Sequence, residues 1–268
     1  MSPRPSLITF TTDFGLSDWF VGTMKGVVLG MAPQTQIIDI SHGVPSGNLR
    51  AGAFALRSAF GYFPKGTVHV AVVDPGVGSN RRAIAVETRN YLFLGPDNGV
   101  LSWALIDEDV LAIHSLDHSK YFLPRVGRTF HGRDVFAPVA AHLAKGLPIA
   151  KLGWKQASFV RLPWPEPRVQ RSKIRGEVLH LDKFGNAISN IDASAVSALS
   201  VNAGIEVRLG RKRIGGLSPC FASVPQGQPV AVIGSSGFLE IAVNGGNAAR
   251  LLKISIGNPV HVSPIPER

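Results

Sequence analysis

Short apolar, β-branched runs alternate with longer stretches carrying apolar residues at helical spacing through the first half of the chain, a pattern that predicts an α/β domain. Leu7–Thr12 and Gln36–Ile40 read as strands, and Asp18–Met31 reads as a helix stopped by Pro33. A second helix is expected from an Asn48 cap through Phe63, where Pro64 ends it. Thr67–Val73 is apolar and β-branched enough for a buried central strand, and Ala83–Glu87 with Tyr91–Leu94 reads as a further strand pair. Arg133–Ala144 has the spacing of a helix, closed by Gly146.

The pattern then changes. Trp154 to Arg171 reads WKQASFVRLPWPEPRVQR, with three prolines in five positions, as expected of an interdomain linker. Beyond it the runs shorten: Ile174–Leu181, Ala187–Ile191, Ile205–Leu209, Val230–Ile233 and Phe238–Val243 are separated by Gly, Asn, Pro and Ser, the signature of a small all-β fold. The expected architecture is an α/β domain with a central, mostly parallel sheet flanked by helices (1–155), a linker (156–172) and a small barrel-like all-β domain (173–268).

Composition narrows the function classes. A chain of 268 residues can bury one large core or two modest ones. The opening MSPRPSLITF lacks the apolar stretch of a secretory signal, and no apolar run is long enough to span a bilayer, so a soluble cytoplasmic protein without a membrane partner is expected. Cys220 is the single cysteine; it can form neither an internal disulfide nor a zinc site and reads as a buried bystander. The 28 Lys and Arg against 18 Asp and Glu leave a charge of +10, which raises the question of a nucleic-acid partner. The two basic concentrations, Arg168-Arg171-Lys173-Arg175 and Arg208-Arg211-Lys212-Arg213, lack interleaved aromatics for base stacking, so no nucleic acid is expected.

Open α/β sheets bind ligands at the carboxyl ends of their strands, and three polar clusters fall there. TTDFGLSD puts Asp13 and Asp18 in one strand-to-helix loop. One carboxylate could accept both hydroxyls of a ribose diol and the other could face an ammonium group; equally, Asp18 could cap the helix while Asp13 closes a turn. In VVDPGVGSNRR, Pro75, Gly76 and Gly78 force a tight loop that returns Arg81 or Arg82 towards Asp74; phosphate binding is disfavoured because the loop has neither GxxxxGK[ST] nor GxGxxG. In FHGRDVFAP, His131 stands at a helix entrance, where it could be structural or could transfer a proton. His114 and His118 have i,i+4 spacing, but HSLDH has no helical apolar face and lacks the glutamate of HExxH, so no metal site is expected.

Together these clusters closely resemble the S-adenosylmethionine hydrolase family, also called S-adenosylmethionine hydroxide adenosyltransferases, relatives of the bacterial fluorinase and chlorinase. The resemblance runs through TTDFGLSDWFVGTMKG, DISHG, FPKGTVHVAVVDPGVGS, FLGPDNG and FHGRDVFAP, then DKFGNAISN and GSSGFLEIAVNGGNAA. It implies hydrolysis of S-adenosylmethionine to adenosine and methionine, with the sulfonium as substrate and no cofactor. It matches Asp74, Arg81 and His131 to a water-activating trio, Asp13 to the ribose-diol ligand and Asp18 to the residue facing the methionine amino group. Asp182 and Asn186 match substrate contacts, Phe184 the aromatic beside the adenine, and Ser235 and Gly245 the positions near the amino-acid end and the adenine. It also implies a homotrimer with inter-subunit active sites.

Three alternatives remain at this stage: a halogenase, a basic nucleic-acid-binding module, and an S-adenosylmethionine-binding regulator without turnover. The resemblance weighs against the first, because Asp74 stands where the halogenases carry tyrosine and Ser236 where they carry arginine, and a carboxylate repels halide while orienting water. Retention of all three trio residues weighs against the third.

Overall fold

The computed structural model describes residues 6–170, 173–199 and 204–265. Arg171 of the first basic run and residues 1–5 of the N-terminal stretch lie outside them. The chain divides into two compact units, Met1–Pro163 and Trp164–Arg268.

In the first unit, β1 (Leu7–Thr12), β2 (Gln36–Ser41), β3 (Val68–Val72), β4 (Ala83–Thr88), β5 (Leu92–Pro96) and β6 (Val110–Ser115) form one sheet in the order β2-β1-β3-β5-β4-β6. β1 runs parallel to β2 and β3, and β3 parallel to β5; β4 is antiparallel to both of its neighbours. The helices are α1 (Phe20–Met31), α2 (Leu49–Ala59) and α3 (Ala137–Ala144). Strand alternation sends β3 side chains to both faces. Val68, Val70 and Val72 join a core with Met24 and Val28 of α1 and Val139 and Leu143 of α3. Ala71 and Val73 join a second core with Leu56 of α2. The expected helix-flanked, mostly parallel sheet is therefore present, with one reversed strand, β4, next to the β6 edge.

In the second unit, β7 (Arg168–Gln170), β8 (Lys173–Leu181), β9 (Ala187–Asp192), β10 (Ile205–Leu209), β11 (Lys212–Gly215), β12 (Pro229–Ile233), β13 (Phe238–Val243) and β14 (Pro259–Pro264) pair antiparallel. Their order is β11-β10-β14-β8-β9-β13-β12, with β7 on β8. A bridge between Leu217, just past β11, and Ala231 of β12 nearly closes the sheet into the expected barrel. Two short helices, Ala193–Leu199 and Ala248–Leu251, interrupt the expected all-β character.

Local departures have local causes. Asn48 caps α2 as expected, its Oδ1 accepting from Ala51 N at 3.0 Å. α1 begins only at Phe20, and its cap position is Trp19, without a side-chain cap bond; Asp18 is not the cap. The helix expected from Arg133 opens instead with a single π-helical turn, Gly132–Phe136, a distortion that recurs at functional sites. Cys220 corrects an expectation: it is exposed, because it precedes the short turn Phe221–Ser223 and its Sγ lies 3.4 Å from Ser223 Oγ. Among the described residues no helix is long and apolar enough to cross a membrane.

Candidate active site

The carboxyl ends of β1 and β3 open on the same edge of the sheet, because the strands are parallel and Thr12 lies in register with Val72. Asp13 and Asp74 therefore leave neighbouring strands side by side. After Asp74 the chain turns tightly: Val77 N donates to the Asp74 carbonyl at 3.1 Å, and Ser79 N and Oγ both donate to the Gly76 carbonyl. The turn returns Arg81, not Arg82, to Asp74. Arg81 Nε lies 3.0 Å from each Asp74 carboxylate oxygen, and Arg81 Nη2 adds a contact to Oδ2. Arg82 turns away to Asp97 Oδ2 at 2.8 Å and Gln156 Oε1 at 2.7 Å.

His131 joins from the other side, with Nδ1 2.9 Å from Arg81 Nη2. The pair beneath it is largely withdrawn from solvent, with side-chain exposures of 4% for Asp74 and 12% for Arg81. Burial, then the charge of Arg81, holds the His131 pKa below its usual value; Asp74, Asp134 and a backbone hydrogen bond to Gly127 oppose this. The imidazole is thus kept neutral beside a carboxylate and a guanidinium, an arrangement suited to holding and polarising one water molecule.

The three clusters interlock. Gly78 has φ +78°, and a Cβ there would run into the Arg128 carbonyl, so glycine lets the Asp74 loop settle against the segment leading to His131. Asp13 Oδ2 accepts from Gly47 N at 2.7 Å, and Gly47 in turn approaches Pro75. Phe14, beside Asp13, packs edge-on to Phe130, beside His131, with centroids 5.7 Å apart. Asp18 is exposed, accepting from Ser17 Oγ at 3.5 Å.

In the second unit, Asp182 organises the DKFGN turn. Its Oδ1 accepts from Phe184 N at 2.9 Å and Asn186 N at 2.8 Å, and its Oδ2 from Asn186 Nδ2 at 3.0 Å. The turn presents the Phe184 ring at 73% exposure. Ser235 is exposed, and Gly245 has φ +67°. Glu240 is buried on β13 beside this turn; burial, then the Asp182 charge, raises its pKa, and the Asn186 amide opposes this.

Several residues that hold the site were not singled out from the sequence. Asn98 Nδ2 donates to the Val73 carbonyl at 2.8 Å and steadies the backbone just before Asp74. Gly47 anchors Asp13, and Asp134 anchors the loop before His131. FLGPDNG and FHGRD contain two of these residues, and Asn98 follows a strand end, the signal that picked out Asp13 and Asp74. His114 and His118 do not pair: their Nδ1 atoms face the carbonyls of Gly153 at 3.0 Å and Lys151 at 2.7 Å. Among the described residues no group of three or more His, Cys, Asp or Glu is placed to hold a metal ion.

A helix-flanked sheet with a carboxylate–guanidinium–imidazole trio at its strand ends, followed by an antiparallel barrel, defines a two-unit α/β-plus-β protein class. The sequence pattern of the SAM hydroxide adenosyltransferase N-terminal domain matches residues 8–153, and that of the corresponding C-terminal domain matches residues 176–261. The chain belongs to the SAM hydroxide adenosyltransferase family. An (R)-S-adenosyl-L-methionine hydrolase from Salinispora tropica is 41% identical over 266 residues, covering 98% of this chain and 99% of its own. A fluorinase from Nocardia brasiliensis is more distant, at 27% identity over 291 residues and 97% of each chain. The crystal structure of an uncharacterized conserved protein from Thermotoga maritima superposes with a TM-score of 0.91 at 39% identity, covering 96% of this chain and 99% of that one.

Proposed function

We propose that this chain hydrolyses S-adenosylmethionine to adenosine and methionine. The observation that carries the reading is the convergence of Asp74, Arg81 and His131 at the strand ends. Water supplies the attacking oxygen; its bond to C5′ forms as the C5′–S bond breaks, the electron pair of that bond stays on sulfur, and the proton lost by the water passes to the trio, whose acceptor groups are Asp74 and His131. Methionine departs as a neutral thioether, so the nucleophile rather than the leaving group needs help. Holding that water in line behind C5′ can contribute about 7–11 kcal/mol in the best intramolecular cases. Uniting a partly anionic oxygen with a sulfonium disperses charge, so a water-poor site favours the transition state over bulk solvent.

In this reading Asp13 binds the ribose diol and Asp18 faces the methionine ammonium. Asp182 and Asn186 contact the substrate, Ser235 lies near its amino-acid end, and Phe184 and Gly245 border the adenine. A sulfonium leaving group makes redox or Lewis-acid assistance unnecessary, so no cofactor is assigned. The working form is a homotrimer in which a neighbouring subunit completes each site, and the compartment is the cytoplasm. The name of the Salinispora relative specifies the R configuration at sulfur, and we assign the same epimer as the substrate here.

Halogenation is the second reading, supported by the fluorinase similarity. The buried Asp74 carboxylate weighs against it, since an anion there repels halide. Incubation of each sulfonium epimer in oxygen-18 water, with and without chloride, tests both readings. Label in the adenosine 5′-hydroxyl from the R epimer, unchanged by chloride, is the expected result. Unlabelled adenosine, or a 5′-chloro product, would overturn hydrolysis by direct attack.

A further inference from the structure

His42, in DISHG, is only 5% exposed beside the loop that carries Asp13, and no step of the proposed reaction uses it. A bulge puts it there. β1 and β2 pair Phe10 with Asp39 but Thr11 with Ser41, so Ile40 is the extra residue and His42 comes abreast of Thr12. Bulges next to active sites re-aim side chains in this way. His42 Nδ1 lies 2.8 Å from Thr12 Oγ1, and both residues are buried. On the far side of the ring, Nε2 stands 3.0 Å from Asp39 Oδ1 in a bent contact, and Asp39 Oδ2 is tied to Lys25 of α1 at 2.6 Å.

These contacts bracket Asp13. Thr12 Oγ1, one residue before it, accepts from Phe14 N, one residue after it, at 3.3 Å. The His42 carbonyl accepts from Gly15 N at 2.8 Å, where a φ of +68° makes the left-handed turn that glycine allows. The two peptide N–H groups that follow Asp13 therefore end on Thr12 and on His42. In the neutral ring, the Asp39 carboxylate draws the hydrogen to Nε2 and leaves Nδ1 to accept from the Thr12 hydroxyl. That hydroxyl gives its one hydrogen to the ring and accepts from Phe14, so its orientation is fixed. With the backbone held, Asp13 Oδ2 accepts from Gly47 N at 2.7 Å, while Oδ1 takes part in none of the described hydrogen bonds. A carboxylate has about four lone-pair sites, so Asp13 keeps room for two further donors.

We propose that His42 is a positioning residue for ribose recognition: held by Asp39 and acting through Thr12, it sets the Asp13 carboxylate at the angle that receives both ribose hydroxyls. This rests on Asp13 being the diol ligand. Because His42 acts through the loop, its loss should be felt at the diol rather than over the whole nucleoside.

The test is isothermal titration calorimetry of the full-length protein with adenosine and with 2′,3′-dideoxyadenosine, a comparison that needs no turnover and reads the diol alone. The unaltered protein should prefer adenosine by about tenfold to a hundredfold, the scale of hydrogen bonds to a charged group. Asp13→Asn should lose most of that preference. Thr12→Val and His42→Leu cut one link from its two ends. Each should lose most of the preference by weakening adenosine, with the dideoxy affinity within about twofold of the unaltered value. Thr12→Ser keeps the hydroxyl and should keep the preference. Equal weakening of both nucleosides, or a fall in thermal midpoint with the preference intact, would mark a merely structural role and overturn the proposal. If the unaltered protein shows no preference, or Asp13→Asn retains it, the diol role of Asp13 is lost and the proposal with it. If Asp13→Asn loses the preference while Thr12→Val or His42→Leu retains it, the proposal alone falls. Nitrogen-15 NMR of the histidine-labelled unaltered protein should find a hydrogen on His42 Nε2; its absence would overturn the proposal even where no variant folds.

Discussion

Arg81 links Asp74 to His131 through one guanidinium group: Nε lies 3.0 Å from both oxygens of the carboxylate, and Nη2 lies 2.9 Å from the imidazole Nδ1. Only a planar fork can satisfy both partners at fixed angles. Arg81→Lys keeps the charge and removes the fork, so the carboxylate and imidazole lose their common reference. The expected result is a fall in kcat of about a hundredfold, the scale of a misplacement near 1 Å, with a smaller change in KM. Steady-state kinetics on the R epimer measure it; near-normal kcat in the lysine variant would show that charge alone suffices.

The acid side of the pH profile follows from His131. Burial and Arg81 hold its pKa below 6.5, so the imidazole stays neutral and accepting at neutral pH. As pH falls through that lowered value, Nδ1 gains a proton, its bond from Arg81 is lost, and activity falls with it. kcat/KM should therefore be level near pH 7 and lose its acid limb only below 6.5. His131→Gln supplies an acceptor that does not titrate, and it should remove that limb while lowering the plateau. A limb that persists unchanged in the glutamine variant would assign it to another group.

Gly78 tests how the loops meet. Its φ of +78° and the Arg128 carbonyl beside it leave no room for a methyl group. Gly78→Ala should shift the DPGVG loop away from the segment carrying His131 and lower kcat about tenfold or more. The thermal midpoint should fall by only a few degrees, since backbone strain of this kind costs about 1–3 kcal/mol. Kinetics and calorimetry on the same preparation separate the two effects.

The legibility of this molecule in its sequence was uneven for physical reasons. β1 and β3 are continuous apolar runs between clear breakers, and burial on both faces makes such strands easy to recognise. β6 lies at the sheet edge with a half-exposed start, and β14 is bounded by Pro259 and Pro264, so both are hard to distinguish from loops. The polar residues beyond β1 and β3 mark the site through strand-end logic. The choice of Arg81 over Arg82 depends on the fold of a four-residue turn, which spacing alone leaves open. Asp134 was hidden by its neighbour: in FHGRD the histidine draws the chemistry, and only the Gly127 contact gives the aspartate a role.

His69 should make the first unit acid-sensitive. It is buried in β3 with Nδ1 2.7 Å from Thr9 Oγ1, ringed by Phe60, Phe63, Tyr91 and Phe93. Burial depresses its pKa from 6.5 to about 3. Above pH 6.5 neither the folded nor the unfolded chain protonates it. Between 6.5 and about 3 only the unfolded chain does, so stability is lost by up to about 1.4 kcal/mol per pH unit. His69→Phe should flatten this slope in urea unfolding measured from pH 7 to 4, despite a cost at pH 7 from leaving Thr9 Oγ1 without its partner. An identical slope in both proteins would place the acid sensitivity elsewhere.

Glu240 should give the second unit the opposite dependence. Its carboxyl is buried on β13, facing the turn in which Asn186 bonds to Asp182. Burial and the Asp182 charge raise its pKa above 4.5, while the bond from Asn186 opposes them. The folded state therefore keeps the proton after the unfolded chain has released it. The associated stability is full below pH 4.5 and declines as pH rises to the folded-state value, by up to about 1.4 kcal/mol per unit. Glu240→Gln preserves an acceptor for Asn186 and removes the titration, so its urea midpoint should stay level over the window in which the unaltered protein declines. Because the same carboxyl adjoins the turn carrying Phe184 and Asn186, KM for the sulfonium should lose any matching dependence in that variant while the pH dependence of kcat should stay unchanged. Parallel changes in both constants would instead tie Glu240 to the chemical step.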